Sequence, residues 1–105
     1  MNSNLIEDRQ TYAMEIRDRV IKGYTEIGEK YLYTALSQDS IERINEEIQH
    51  LLKTISMEFM ITLEPGEITV HGNEINIDEP LVTNCSFIKS PIRYGLSDWI
   101  SLQYK

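Results

Sequence analysis

The sequence lacks the features that define several classes of protein. Cys85 is its only cysteine, so no disulfide can form within the chain, and a secreted scaffold built on disulfides is excluded. No apolar run approaches the roughly 20 residues of a membrane-spanning helix. The first residues, Met1 to Asp8, are polar and acidic, unlike a signal peptide. We therefore expect a soluble protein made in the reducing cytoplasm.

Positive charge is also scarce. Ten lysine and arginine residues stand against seventeen aspartate and glutamate residues, which gives a net charge of −7, and the basic residues are scattered. A phosphate backbone would be repelled on balance, so direct nucleic-acid binding is not expected. The acidity has two interpretations, ordinary solubility or an inhibitor that imitates nucleic acid, and composition does not decide between them.

The remaining composition is that of an ordinary folded domain. Apolar residues make up 41% of the 105 positions and charged residues 26%, and neither an internal repeat nor a low-complexity linker is present. A chain of this length builds one core. We predict a single domain over residues 1–105, with a helical half at about 3–56 and a strand half at about 57–104.

Two amphipathic helices are predicted in the first half. The first begins near Ser3 or Asn4 and frays near Lys22-Gly23, because Gly23 and Gly28 each cost about 1 kcal/mol inside a helix. The second runs from about Ser40 to Ile55, with Asp39 as cap. Its apolar positions recur every three or four residues: Ile41, Ile44, Ile48, Leu51, Leu52 and Ile55.

After Ser56 the apolar period changes from helical to alternating, which predicts strands. The turns between them are Pro65-Gly66 and Gly72-Asn73, which suit tight reversals of the chain. The fold class is therefore α+β, with two N-terminal helices packed on a small, mainly antiparallel sheet of four to five strands. The predicted strands are Met57–Leu63, Glu67–His71, Glu74–Asp78, Leu81–Ile88 and Trp99–Tyr104.

No residue pattern indicates catalysis, a cofactor or a metal. His50 and His71 have no ligand partner at metal-site spacing, and Cys85 is better interpreted as a small buried apolar residue than as a nucleophile. Paired carboxylates on the second helix, such as Glu42 and Glu46, are typical of a solvated face. The expectation is a protein that is not an enzyme, with no catalytic, cofactor-binding or metal-binding residue.

The last predicted strand is the candidate for partner binding, because large side chains occur on both of its faces. Such a strand suits a central place in a sheet or addition to the sheet edge of a neighbouring molecule. The candidate residues are Trp99, Ile100, Ser101, Leu102, Gln103 and Tyr104.

The order of segments resembles the handshake fold of contractile phage tails, found in the C-terminal domain of sheath proteins and in baseplate sheath initiators. The resemblance rests on Glu15–Ile21, on Gly28-Glu29-Lys30 at a turn, on Leu36–Asp39 opening the helix that continues to Leu52, and on strands that end in an extended tail. It implies a non-enzymatic assembly protein of a virion or tail-like machine that binds neighbouring subunits by packing and strand addition.

An alternative function is a small acidic inhibitor, an immunity or phage anti-defence protein that blocks a basic site on its partner. It would gather carboxylates such as Glu42, Glu46, Asp78 and Glu79 on one face, and salt would weaken its binding. Both hypotheses predict protein partners in an oligomer or complex, with no membrane and no cofactor. The assembly hypothesis places the protein in the cytoplasm during synthesis and then in the virion or assembled particle.

Overall fold

The computed structural model describes residues 2–31, 37–72, 74–83 and 93–104, with side chains from residue 8 onward. It confirms the α+β class, with two N-terminal helices followed by small antiparallel sheets and a short helix. Within the described residues the elements are α1 Asn2–Lys30, α2 Gln38–Phe59, β1 Leu63–Glu64, β2 Ile68–His71, β3 Glu74–Ile77, β4 Leu81–Val82, β5 Tyr94–Gly95 and α3 Leu96–Leu102.

Helix α1 is continuous through both glycines, so the predicted break at Gly23 and the predicted turn at Gly28-Glu29-Lys30 are wrong. Gly23 is buried where α1 crosses α2, and a Cβ atom there would collide with the Leu51 side chain. The glycine lets the two helices approach closely. Each apolar side chain that α1 buries contributes about 1.5–3 kcal/mol, which outweighs about 1 kcal/mol for a glycine in the helix.

Helix α2 extends beyond its predicted limits at both ends. Ser37 caps it instead of Asp39: the Ser37 hydroxyl accepts a hydrogen bond from the Ser40 amide at 3.2 Å, and the Ser40 hydroxyl accepts one from the Ser37 amide at 2.8 Å. Met57 to Phe59 are helical, so the strand predicted at Met57–Leu63 is wrong over its first residues. The helix ends at Met60, which has the left-handed conformation with φ 54°.

The five strands form two separate sheets. Strand β4 lies between β1 and β5, antiparallel to both, while β2 and β3 form a hairpin with Ile68 opposite Ile77. The prediction of both hairpin strands is confirmed, and Gly72 has the positive φ of 60° that a primed turn requires. In the predicted strand Leu81–Ile88, only β4 and Thr83 lie within the described residues, and Cys85 lies outside them.

The core lies between α1 and α2 and is closed at one side by the three-stranded sheet and α3. The molecule is elongated, 53 × 27 × 22 Å, because α1 alone spans 29 residues. The buried apolar cluster comprises Ile16, Val20, Ile27, Ile44, Ile48, Leu52, Ile55, Ile61, Leu63, Val82 and Leu96.

The strand predicted at Trp99–Tyr104 is wrong, because α3 and a following turn occupy this segment. Leu96, Trp99 and Ile100 have helical spacing and pack on the core. Over a segment this short, the sequence pattern of a helix cannot be distinguished from the alternation of a strand. The carboxylate of Glu79 holds the start of α3, since Ser97 donates to Glu79 Oε2 from its amide at 3.2 Å and from its hydroxyl at 2.5 Å.

Candidate protein-binding surface

The six candidate residues are divided between the core and the surface. Trp99 and Ile100 are half-buried and pack against the core cluster. Gln103 is half-buried, and its side-chain amide donates to the Trp99 carbonyl at 3.1 Å. Ser101 is exposed. The remaining large side chains, Leu102 and Tyr104, are exposed on the outside of this segment.

Helix α3 packs beside α1, and a groove of about 510 Å³ runs between them. We call it the α1–α3 groove. Ile21 is 48% exposed at its side, which is high for a large aliphatic residue. Arg17 and Glu79 are the charged residues that line it. Most of the exposed lining is apolar and includes Met14, Val20, Ile21, Tyr24, Leu96 and Ile100.

A second depression adjoins this groove along α1. Met14 lines both, and Tyr104, whose side chain is 51% exposed, lines the second. The apolar surface is centred on the α1–α3 groove, because the other residues of the second depression are polar or acidic: Gln10, Thr11, Glu15 and Asp18. Sequence reasoning missed Met14 and Ile21, because the helical pattern identified a buried stripe on α1 without indicating that α3 would pack beside it.

Tyr24 has a buried polar atom beneath this groove. Its hydroxyl makes no hydrogen bond within the described part of the chain, and burial raises the pKa of Tyr24 to about 12. A buried hydroxyl without a partner destabilises the folded state. The ring of Tyr24 therefore stabilises the folded state by packing, whereas its hydroxyl group destabilises it.

The other chemically active side chains lie elsewhere. His50 and His71 are both exposed, and the described residues hold no group of three or more His, Cys, Asp or Glu side chains placed around a common metal position. Lys30 donates to Glu47 at 2.6 Å, and this contact holds the pKa of the Glu47 carboxyl below its usual range. The contact joins the end of α1 to α2.

The carboxylates that the inhibitor hypothesis needs are distributed over the surface. Glu42, Glu46 and Glu79 line three different depressions. Asp78 is exposed in the segment between β3 and β4. Glu79 is also engaged with Ser97 at the start of α3.

Comparison with protein-family models, with curated proteins and with solved structures finds no match for this chain. No helix in the described ranges combines the length and the apolar character needed to cross a membrane.

Proposed function

We propose that the chain is a non-enzymatic subunit of a larger protein assembly and that its α1–α3 groove packs against a second copy of the chain. The observation that carries this proposal is the apolar lining of the α1–α3 groove, with Ile21 about half exposed at its side and Tyr104 about half exposed in the adjoining depression. Single exposed apolar residues are ordinary, but a groove continuous with several of them is typical of an interface.

A second copy is the proposed occupant, because a groove and exposed apolar side chains on one chain allow two copies to pair about a two-fold axis. At the end of α3, Leu102 is 40% exposed and Tyr104 is 51% exposed. The projecting side chains of one copy then enter the groove of the other.

The proposed assembly is a virion or contractile tail-like machine, on the basis of the resemblance in the order of segments. Two helices followed by short strands occur in that order, whereas the turn at Gly28-Glu29-Lys30 and the extended tail do not. Donation of residues 99–104 as a strand is not part of the proposal, because α3 already uses Trp99 and Ile100 in the core. Contact between subunits is then made by helix packing at this surface.

The proposal is tested by light scattering after size-exclusion chromatography, at low and high salt, for the wild type and for Ile21→Ser and Tyr104→Ser. We expect the wild type to form salt-resistant dimers or larger oligomers that both substitutions weaken. Met57→Ser is the matched control, since Met57 is 73% exposed and lines neither depression of this surface. A folded monomer at every salt concentration, or an equal loss in the control, contradicts the proposal.

The alternative proposal is an acidic inhibitor of a basic protein, favoured by the charge of the sequence after Met60. There six acidic residues stand against Lys89, Arg93 and Lys105, and Arg93 is itself 3.6 Å from Glu64. Salt would weaken such a complex and leave apolar self-association intact. The acidic residues concerned are Glu64, Glu67, Glu74, Asp78, Glu79 and Asp98.

A further inference from the structure

Within the described part of the chain, the outer edge of β3 has backbone groups without a hydrogen-bond partner. Asp78 donates its amide to the Glu67 carbonyl at 2.9 Å, so these two residues form a hydrogen-bonded pair at the end of the hairpin. Pairs alternate in an antiparallel ladder, which directs the amides of Glu74 and Asn76 toward β2. The amides and carbonyls of Ile75 and Ile77 point away from β2, and no described residue hydrogen-bonds to them.

A groove of about 490 Å³ lies beside this edge, between β3 and the last turns of α1. We call it the β3 groove. Its apolar part includes Ile27, Ile75 and Ile77. At Gly28 an added Cβ atom would meet nothing within 4 Å, so the wall of the groove formed by α1 is open. The β3 groove is therefore open and partly apolar, as a site for the side chains of an added strand has to be.

The charge around the β3 groove is acidic. Glu29 and Glu74 line it, and no lysine or arginine within the described ranges does. Lys30 Nζ lies 5.5 Å from the centre of the Tyr31 ring, which also lines the groove, but it is engaged with Glu47 of α2. A basic partner segment would therefore meet Glu29 and Glu74, while the nearby cation already has a carboxylate partner.

We propose that the outer edge of β3 binds an extended segment of a different protein in which apolar and basic residues alternate. Side chains alternate between the two faces of a strand. On the added strand, one set would enter the β3 groove beside Ile75 and Ile77. The other set would lie beside Glu74 and Asp78, where lysine or arginine gives favourable cross-strand pairs. The binding site is distinct from the surface proposed for a second copy, although Thr25 and Ile77 line both grooves.

The test uses the full chain and a short synthetic peptide of alternating valine and lysine, with a valine–glutamate peptide of equal length as control. Amide hydrogen exchange followed by NMR is the readout. We expect the lysine peptide to protect the amides of Ile75 and Ile77, while the amides of Glu74 and Asn76, directed toward β2, change little. The glutamate peptide should protect neither pair.

Two substitutions separate strand addition from unspecific attraction to an acidic protein. The Cβ atom of Gly28→Leu would meet nothing within 4 Å, so the side chain can extend into the β3 groove from α1, and it should abolish the protection. Glu74→Lys should weaken binding of the lysine peptide about fivefold. Gly28→Ala serves as the control for Gly28→Leu, because a methyl group leaves most of the groove open.

Protection spread over the whole acidic surface, equal binding of both peptides, or unchanged binding by Gly28→Leu would overturn the proposal. These outcomes do not depend on the oligomeric state of the chain. A wild type that dimerises without binding the peptide contradicts only the proposal for β3. A wild type that binds the peptide as a monomer contradicts only the proposal for the α1–α3 groove.

Discussion

Gly23 and Gly28 lie on the same helix, yet a methyl group added at each would meet opposite surroundings. At Gly23 it would collide with Leu51 of α2, and at Gly28 it would enter open space. The close approach of α1 to α2 depends on the first glycine only. The second weakens the helix by its backbone freedom and contributes no contact.

We predict opposite changes in stability for the same substitution at these positions. Gly28→Ala should raise the free energy of unfolding by about 0.5–1 kcal/mol through helix propensity. Gly23→Ala should lower it by about 1 kcal/mol, because overpacking against Leu51 exceeds the same gain. Urea denaturation of both variants measures the difference. Adding Leu51→Ala should relieve the collision, and a Gly23→Ala variant that is as stable as Gly28→Ala contradicts the prediction.

Tyr24→Phe should leave the protein equally stable or more stable at neutral pH, because it removes a buried hydroxyl without a partner. Alkaline pH gives the sharper test. The unfolded chain loses the Tyr24 proton near the ordinary pKa of 10.0, whereas the folded chain holds it until about 12. The stability of the wild type should therefore fall as pH rises through this window, and Tyr24→Phe should lack that part of the loss. Equal pH profiles for the two proteins would argue against a buried hydroxyl.

Serine side chains make hydrogen bonds near both ends of α2. At its start Ser37 and Ser40 exchange hydrogen bonds. At its end the Ser56 hydroxyl donates to the Leu52 carbonyl at 2.6 Å and accepts from the Leu63 amide at 3.0 Å. One hydroxyl thus links the last turns of the helix to β1. The Ser56 carbonyl also accepts from the amide of Ile61, which tightens the same connection.

We predict that Ser56→Ala lowers the free energy of unfolding by about 1–3 kcal/mol, because it leaves the Leu63 amide without its partner. Thr54→Ala is the matched control. Its hydroxyl also donates to a carbonyl one turn earlier, that of His50 at 2.9 Å, but it is exposed and holds no strand. Its change should stay within about 0.5 kcal/mol. Thermal or urea unfolding that finds equal losses for both variants would contradict the role given to Ser56.

The elements that the sequence predicts best are those with long, unbroken patterns. The repeat of Ile44, Ile48 and Ile55 gives the centre of α2, and the glycine turn gives the hairpin. The ends of α2 and the whole of α3 are harder, because the deciding partners are distant in sequence. Glu79 engages Ser97, and Ser56 engages Leu63 only after the chain has folded. Local alternation over a few residues carries too little information to replace these contacts.

For the whole molecule, the net charge of −7 predicts opposite effects of added salt on the two proposed interactions. Two copies of an acidic chain repel each other, so added salt should strengthen pairing at the α1–α3 groove. Binding of a basic segment at β3 should weaken with the same addition. Sedimentation and peptide titration over one salt series measure both trends. If added salt strengthens both interactions or weakens both, one of the two interfaces is not stabilised by the kind of contact proposed for it.

The composition predicts an acidic protein without indicating the location of its surfaces. The segment Trp99–Tyr104 is a candidate because of its large side chains, but two of them, Trp99 and Ile100, pack against the core. Met14, Ile21 and Gly28 became candidates only when the packing of α1 against α3 and β3 was known. A deletion from Trp99 onward would remove part of the core, so point substitutions are the appropriate probes of binding.

The two ends of the hairpin segment lie close together. A Cβ atom at Gly66 would collide with the carbonyl oxygen of Glu79, so the two backbone segments are in direct contact there and leave no space for a side chain at residue 66. At the other end, Gly72 has open space around it. The tip of the hairpin can therefore be changed separately, whereas Ile68, Ile75 and Ile77 pack against the core cluster and have to be kept. Lengthening the tip should alter which partner is recognised while the helices stay as they are, provided that Gly66 is also kept.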